Sequence, residues 1–350
     1  MMDISIPYYE DLTRISNSNI GWFLKNGPAF LHKMLTEPPP EDKNPVLARG
    51  TMIHEYILQP EEFLKDYVVW DKSRPTSGQQ EEFCQALANT LEIEPNKAIL
   101  DAYKKAYSTN GKSEDKMLSE GLKIASTLKE YIDFLKEDSE RTMISPWDYQ
   151  NLKKIKNEIE AHKLAKKIIW PHTDPKTYRK DEPIIENWHE FHINWEYIVN
   201  ADEFKENFEG VYAIKCKSLL DGLTLDFKNN KAIIYDLKTT QKLWHFEDSI
   251  DMYDYCRQLC YYKMAVIWYL ENECNVHNPE LNWTFEFYII GIDTTGTSEI
   301  RVFRVEPYMV DSRESVIDNA LKNIAWHQMN NKWEHSREYY EGDGSENLNL

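Results

Sequence analysis

A chain of 350 residues, 41% hydrophobic and 29% charged, can bury a substantial core as one elaborated domain or as two lobes. Its formal net charge of −18 argues against a protein that coats nucleic acid indiscriminately; any phosphate must be met in a confined channel whose basic groups outweigh the surrounding field. No apolar run approaches a membrane span, and the start "MMDISIPYYEDL" lacks the basic beginning and apolar middle of a signal peptide, so a soluble, cytoplasmic protein with no membrane partner is expected.

In chain order, residues 10–35 offer Ser16 as a helix cap ahead of Ile20, Trp22 and Phe23, with "NGP" as punctuation. A stiff loop, "PPPEDKNP", precedes a helix over "VLARGTMIHEYIL", which "QPEEF" closes. The loop "WDKSRPTSGQQ" leads into helical stretches to about residue 140, interrupted by "STNGKSEDK". Residues 145–169 read as a capped helix, apolar at Leu152, Ile155, Ile159 and Leu164. Its many lysines, interrupted by glutamates, fit an exposed amphipathic face better than a nucleic-acid stripe.

From about residue 184 the period falls to two, and 186–199, 211–227 and 231–240 read as strands. One long helix over 248–272 follows, then strands over 283–293 and 298–307. The expected fold is α/β or α+β: a central mixed sheet flanked by helices, with a helical N-terminal region over 1–183, a core over 184–335, and an acidic, disordered tail over 336–350. Cys84, Cys216, Cys256, Cys260 and Cys274 form no regular framework, and reduced thiols packed in the interior are expected.

The stretch "IIYDLKTT" ends a strand with Asp236 and Lys238 two residues apart, hence on one face. In the preceding strand, Asp221 and Asp226 compete to join them. A two-residue turn at Asn229-Asn230 would pair Lys228 with Lys231, set Leu223 opposite Asp236 and Asp221 opposite Lys238, and turn Asp226 away. Two carboxylates and a lysine on one face suit a divalent metal that binds phosphate and activates water. Equally, Asp221 and Lys238 make a cross-strand ion pair of little consequence. On the next helix, Gln258 and Tyr262 share a face, where both could reach a phosphate or the metal's waters.

Asp221, Asp236-Leu237-Lys238 and Gln258-x-x-x-Tyr262 together resemble the P-D-(D/E)-x-K nuclease fold in its RecB-like branch. "LARGTMIHEYILQPEEFLKDYVV" and "ISNSNIGWFLKNGPAFL" are similar to segments of RecE-like, phage-type exonucleases, and the likeness runs in order over most of residues 10–305. That resemblance implies that Asp221 and Asp236 ligate a metal, with the Leu237 carbonyl and His54 beside it, and that Lys238 is the catalytic lysine. Glu190 resembles a further acid, with Glu186 and Glu196 as neighbouring candidates, and Arg74 could grip a terminal phosphate or be a solvated loop residue. The resemblance further implies an exodeoxyribonuclease using Mg²⁺, with Mn²⁺ as substitute, that digests linear duplex DNA 5'-to-3' for recombination. Its partners would be DNA ends, a single-strand annealing protein and further copies of itself in a ring. If phage-encoded, it would work in the cytoplasm of a bacterial host. A structure-specific or single-strand endonuclease on the same fold and a degenerate DNA-end-binding module are the alternatives.

Overall fold

The computed structural model describes residues 6–39, 44–91, 94–137, 140–171, 185–200 and 210–346. Part of the "PPPEDKNP" loop, the expected boundary at 183/184 and the last residues of the tail lie outside them. The chain divides into two compact units, one of residues 1–59 and 154–350, the other of residues 60–153.

Helix α1 (Asn17–Thr36) begins where the sequence places it. The Ser16 Oγ accepts the Asn19 N–H at 3.3 Å, and the Asn19 side chain accepts the Ser16 N–H at 2.8 Å, so each residue satisfies a donor of the other. Gly27, at φ 80°, kinks the helix before Pro28. Helix α2 (Pro45–Leu58) starts on Asn44, with proline at the first position.

The 60–153 unit holds α3 (Pro60–Asp66), β1 (Tyr67–Val69), α4 (Gly78–Ala88), α5 (Pro95–Ala106), α6 (Glu114–Thr127), α7 (Lys129–Glu137) and β2 (Thr142–Ile144). β1 and β2 pair in parallel, and Phe83, Cys84, Ile99, Tyr103 and Ile132 lie in a core of the unit's own. Helices α8 (Pro146–Ala161) and α9 (Lys163–Ile169) follow, divided at His162, whose ring caps α9 by accepting the Ala165 N–H.

A five-stranded sheet of β3 (Ile185–Asn200), β4 (Val211–Asp226), β5 (Lys231–Thr240), β6 (Thr284–Asp293) and β7 (Ile300–Val305) runs in that order. All neighbours are antiparallel except β5 and β6. A parallel pair needs a crossover, supplied by α10 (Phe246–Met252) and α11 (Tyr255–Asn272). The remaining helices are α12 (Pro279–Asn282), α13 (Pro307–Asp311), α14 (Glu314–Asn330) and α15 (Arg337–Glu341). The fold is therefore α+β, a mixed central sheet flanked by helices. α11 packs on β3, β4 and β5, and α14 on β3 and β4. Ile193, Leu220, Ile234, Leu259, Phe287 and Leu321 are fully buried in this core, each such side chain contributing roughly 1.5–3 kcal/mol of transfer free energy.

Four expectations need correction. The expected 145–169 helix is two helices, α8 and α9, because the His162 ring stops one and caps the next. The expected 248–272 helix is two helices, because Asp254 takes a left-handed conformation at φ 49° and caps α11 with its own carboxylate. The tail is not disordered from its start: Ser336 caps α15, and Tyr340 stacks on Trp326 with centroids 5.6 Å apart. The β4–β5 turn spans four residues, not two, since Asp226 pairs with Lys231 and Leu223 with Ile234. The Asp226 carboxylate accepts the N–H groups of Lys228 and Asn229 at 3.1 Å and the Asn229 side-chain amide at 2.7 Å, while Asn230 takes φ 48°. An acid that hydrogen-bonds the backbone two residues ahead makes a turn of its own.

All five cysteines are free thiols, Cys84, Cys216, Cys256 and Cys260 buried and Cys274 half-buried. No helix among the described residues is long and apolar enough to cross a membrane.

Candidate active site

The corrected register shifts the pairing by two residues, and a shift of two keeps every side chain on its face. Continued one step beyond the Gly222–Tyr235 pair, it sets Asp221 across from Asp236 rather than from Lys238. The Leu237 main chain joins the two aspartates: its N–H donates to Asp221 Oδ2 at 2.6 Å. On the other side of the same strands the Tyr235 ring lies directly over Gly222, where a Cβ would fall 1.9 Å from it.

Asp236 is 1% exposed, and two groups contact its carboxylate. The Gln258 amide donates to Oδ1 at 2.9 Å and to the Tyr262 hydroxyl at 2.8 Å. Gln258 thus orients the aspartate, and its amide is already engaged in that network. The Lys238 ammonium lies 2.5 Å from Oδ2, so each carboxylate oxygen of Asp236 has a partner. The expected Asp221–Lys238 ion pair is replaced by one between Lys238 and Asp236, because the two acids, not acid and lysine, are cross-strand partners.

His54 reaches the cluster from α2, with Nδ1 3.7 Å from Asp221 Oδ2 and 4.0 Å from Glu190 Oε1. Ligand atoms of His54, Glu190 and Asp221 all lie within 4.8 Å of one another, as a common metal ion requires. Of the three candidate acids on β3, Glu190 has its carboxylate here; Glu186 and Glu196 are exposed. Glu190 sits at φ 48° inside its strand, between the paired His189–Gly222 and Phe191–Leu220. A left-handed residue in mid-strand re-aims its side chain at a cost of about 1–3 kcal/mol, which the rest of the fold must offset.

The electrostatics reflect this crowding. Burial above all, then the like charge of Asp221, push the Asp236 carboxyl up to about 6 against the pull of Lys238. Burial raises Asp221 also, opposed by His54 and Lys238. Burial pulls the His54 imidazole and the Lys238 ammonium down, yet both stand above their ordinary values because of the aspartates and, for His54, Glu190. Three carboxylates and an imidazole gathered in a buried site concentrate negative charge that a divalent cation would neutralise.

The Tyr255 ring was not anticipated; its centroid lies 5.0 Å from the Lys238 ammonium, close enough for a cation–π attraction. Its signal in the sequence was only its place one turn before Gln258. Gly50 has a comparable role, since a Cβ there would stand 3.2 Å from the Thr239 hydroxyl, so α2 approaches β5 closely one turn ahead of His54. Arg74 is an exposed residue of the loop before α4, in the 60–153 unit.

No family model matches the chain, and no curated protein matches it. Among solved structures it is similar to the crystal structure of a protein from Eubacterium rectale named "Putative exonuclease", at 11% identity and a TM-score of 0.44, over 97% of this chain and 90% of that one. An overlap at this level says nothing of chemistry.

Proposed function

We propose that the chain is a metal-dependent exodeoxyribonuclease of the RecE-like kind, which hydrolyses phosphodiester bonds from the ends of linear duplex DNA, 5'-to-3'. The observation that carries this reading is the convergence of His54, Glu190 and Asp221 on one point, beside Asp236, Lys238 and Gln258. Residues from β3, β4, β5, α2 and α11 meet there, and a chance surface ion pair would need none of the others.

Asp221, Glu190 and His54, with Asp236 and the Leu237 carbonyl, would hold the cation. Carboxylate and carbonyl oxygens suit Mg²⁺, and the imidazole gives Mn²⁺ a place as substitute. Bound there, the cation would polarise the scissile phosphate and favour deprotonation of the attacking water. Lys238 is held as an ammonium by Asp236 and Asp221, so its part is to offset the charge growing on the phosphate and to orient the water. Gln258 fixes the Asp236 carboxylate and is itself held by the Tyr262 hydroxyl. Arg74 is a candidate for gripping a terminal phosphate. A ring of copies, acidic outside and basic within, would reconcile the charge of −18 with a DNA substrate, and a single-strand annealing protein would take up the exposed strand.

Linear duplexes labelled at either end, incubated with and without Mg²⁺ beside a closed circular duplex, test the reading. Mg²⁺-dependent release of label from 5' ends with the circle intact is expected. A nicked circle would give the site to the endonuclease alternative, and no hydrolysis of any form would leave a DNA-end-binding module.

A further inference from the structure

Helix α11 presents different chemistry on its two sides. Gln258 and Tyr262 look toward Asp236, and Cys260 and Met264, two residues further on in each case, lie roughly 200° around the helix from them. On that side α11 and β3, the outermost strand of the sheet, line a groove of about 230 Å³. Trp195 is buried in its wall, and Met264, Ile267 and Trp268 are half-buried along it. A side chain that covered this apolar lining would remove it from water.

The mouth of the groove carries charge of one sign. Glu196 from β3, Glu271 from α11, Glu280 from α12 and Glu314 from α14 are exposed around it, with Lys263 as the one base among the described lining residues. Lys263 does not offset them. Its ammonium donates to the Asp311 carboxylate at 2.9 Å; burial pulls it down, yet Asp311, Glu280 and Glu314 hold it above its ordinary value. Four separate elements thus bring one carboxylate each to the rim of an apolar slot. Such a rim repels anions, adds nothing for a neutral apolar group, and favours a ligand that carries both an apolar side chain and cationic neighbours. A volume of about 230 Å³ also falls below the ~300–1,000 Å³ usual for small-molecule sites, and suits a single side chain presented by a polypeptide lying beside the edge strand.

We propose that this groove docks a segment of a protein partner in which one apolar side chain, flanked by lysine or arginine, fills the slot while the flanking cations meet Glu196, Glu271, Glu280 and Glu314. The proposal does not rest on the nuclease reading, since α11 gives its other side to that centre.

Fluorescence anisotropy with two labelled nonapeptides tests it, one with a leucine between two pairs of arginines, the other with alanine in place of the leucine. The wild-type protein is expected to bind the leucine peptide at least about fivefold tighter, the scale of a partly buried isobutyl group. Trp268→Ala should abolish that preference, and Trp268→Phe should retain most of it. The double variant Glu271→Lys/Glu280→Lys, confined to exposed positions, should weaken the leucine peptide at least about tenfold. Glu158→Lys/Glu160→Lys, the same change of charge at exposed positions of α8, should weaken it less than about threefold. Equal binding of the two peptides by the wild type, a leucine preference that survives Trp268→Ala, or an equal loss in the two glutamate pairs overturns the proposal. So does equally tight binding of a leucine peptide whose arginines are replaced by serines, which would leave a plain apolar slot. A shift in oligomeric mass in Trp268→Ala overturns it as well, since the groove would then be a contact between copies.

Discussion

At the turn of the β4–β5 hairpin, Asp226 uses its carboxylate to accept three hydrogen bonds from Lys228 and Asn229. Asp221, five residues back on the same strand, is buried, with one oxygen held by the Leu237 N–H and His54 3.7 Å away. Both residues are acids on one strand, and only their surroundings separate a turn-former from a candidate ligand. An aspartate that satisfies its hydrogen bonds locally is finished, whereas one driven into a low-dielectric site beside a second carboxylate binds its proton more tightly unless cationic groups or a metal offset its charge.

The largest effect expected from breaking this contrast is on chemistry. Asp221→Asn or Asp236→Asn should lower single-turnover cleavage of a linear duplex by at least about a thousandfold, with the fold retained. Asp226→Asn should remain within a few-fold of wild type. A dead Asp226→Asn beside an active Asp221→Asn would reverse the assignment. Lys238→Met comes next: it should bind DNA ends yet turn over at least roughly a hundredfold more slowly, the scale of one lost electrostatic or acid–base group. Near-normal cleavage by that folded variant would reduce Lys238 to an ion-pair partner of Asp236.

On stability, Gly222→Ala drives a methyl group into the Tyr235 ring and should destabilise by about 1–3 kcal/mol or more, read from urea unfolding. The smallest effect concerns pH. The carboxyl of Asp236 is pushed up to about 6, so the folded, cation-free protein binds more protons than the unfolded chain between roughly pH 4 and 6, and stability from this group is lost as pH rises through that window. The raised His54 acts in the same sense, being lost as pH rises through its folded value. Burial holds the His192 and His327 imidazoles below their ordinary range, which acts in the opposite sense, so the part due to Asp236 is read by difference: from pH 7 to pH 5 the cation-free wild type should gain melting temperature relative to Asp236→Asn. Added Mn²⁺, which competes with those protons, should reduce or reverse the trend. Equal pH dependence in the cation-free wild type and Asp236→Asn would contradict a raised Asp236 carboxyl.

The shared face of Asp221 and Asp236 was legible because face depends only on whether a register shift is odd or even, and the true turn differs from the expected one by an even number. The turn length itself was not, since the same Asn-Asn pair serves a two-residue turn or the end of a four-residue one, and Asp226's side chain decides between them. Among Glu186, Glu190 and Glu196, strand alternation gives all three one face. What singles out Glu190 is the β3–β4 register, which sets it across from Asp221 while Glu186 faces Leu225 and Glu196 faces Lys215, and that register is fixed by a connection the residue types do not measure. The helix break at Asp254 was hidden because no pattern of residue types announces its left-handed backbone. His54 was reached only through the likeness of "GTMIH" to a known segment, because a contact between α2 and β4 leaves no local trace.

That last contact bears on when the protein can first act. Between His54 and Gln258 lie some two hundred residues, roughly 10–40 s of synthesis at ~5–20 residues per second. The α2 helix emerges early and must wait for β4, β5 and finally α11 before its histidine has carboxylates to face. Such long-range closure is slow compared with local helix formation. A ribosome-bound chain that stops short of α11 is therefore expected to lack the Gln258 clamp on Asp236, so that hydrolytic competence arrives late in translation, after most of the sheet has been made.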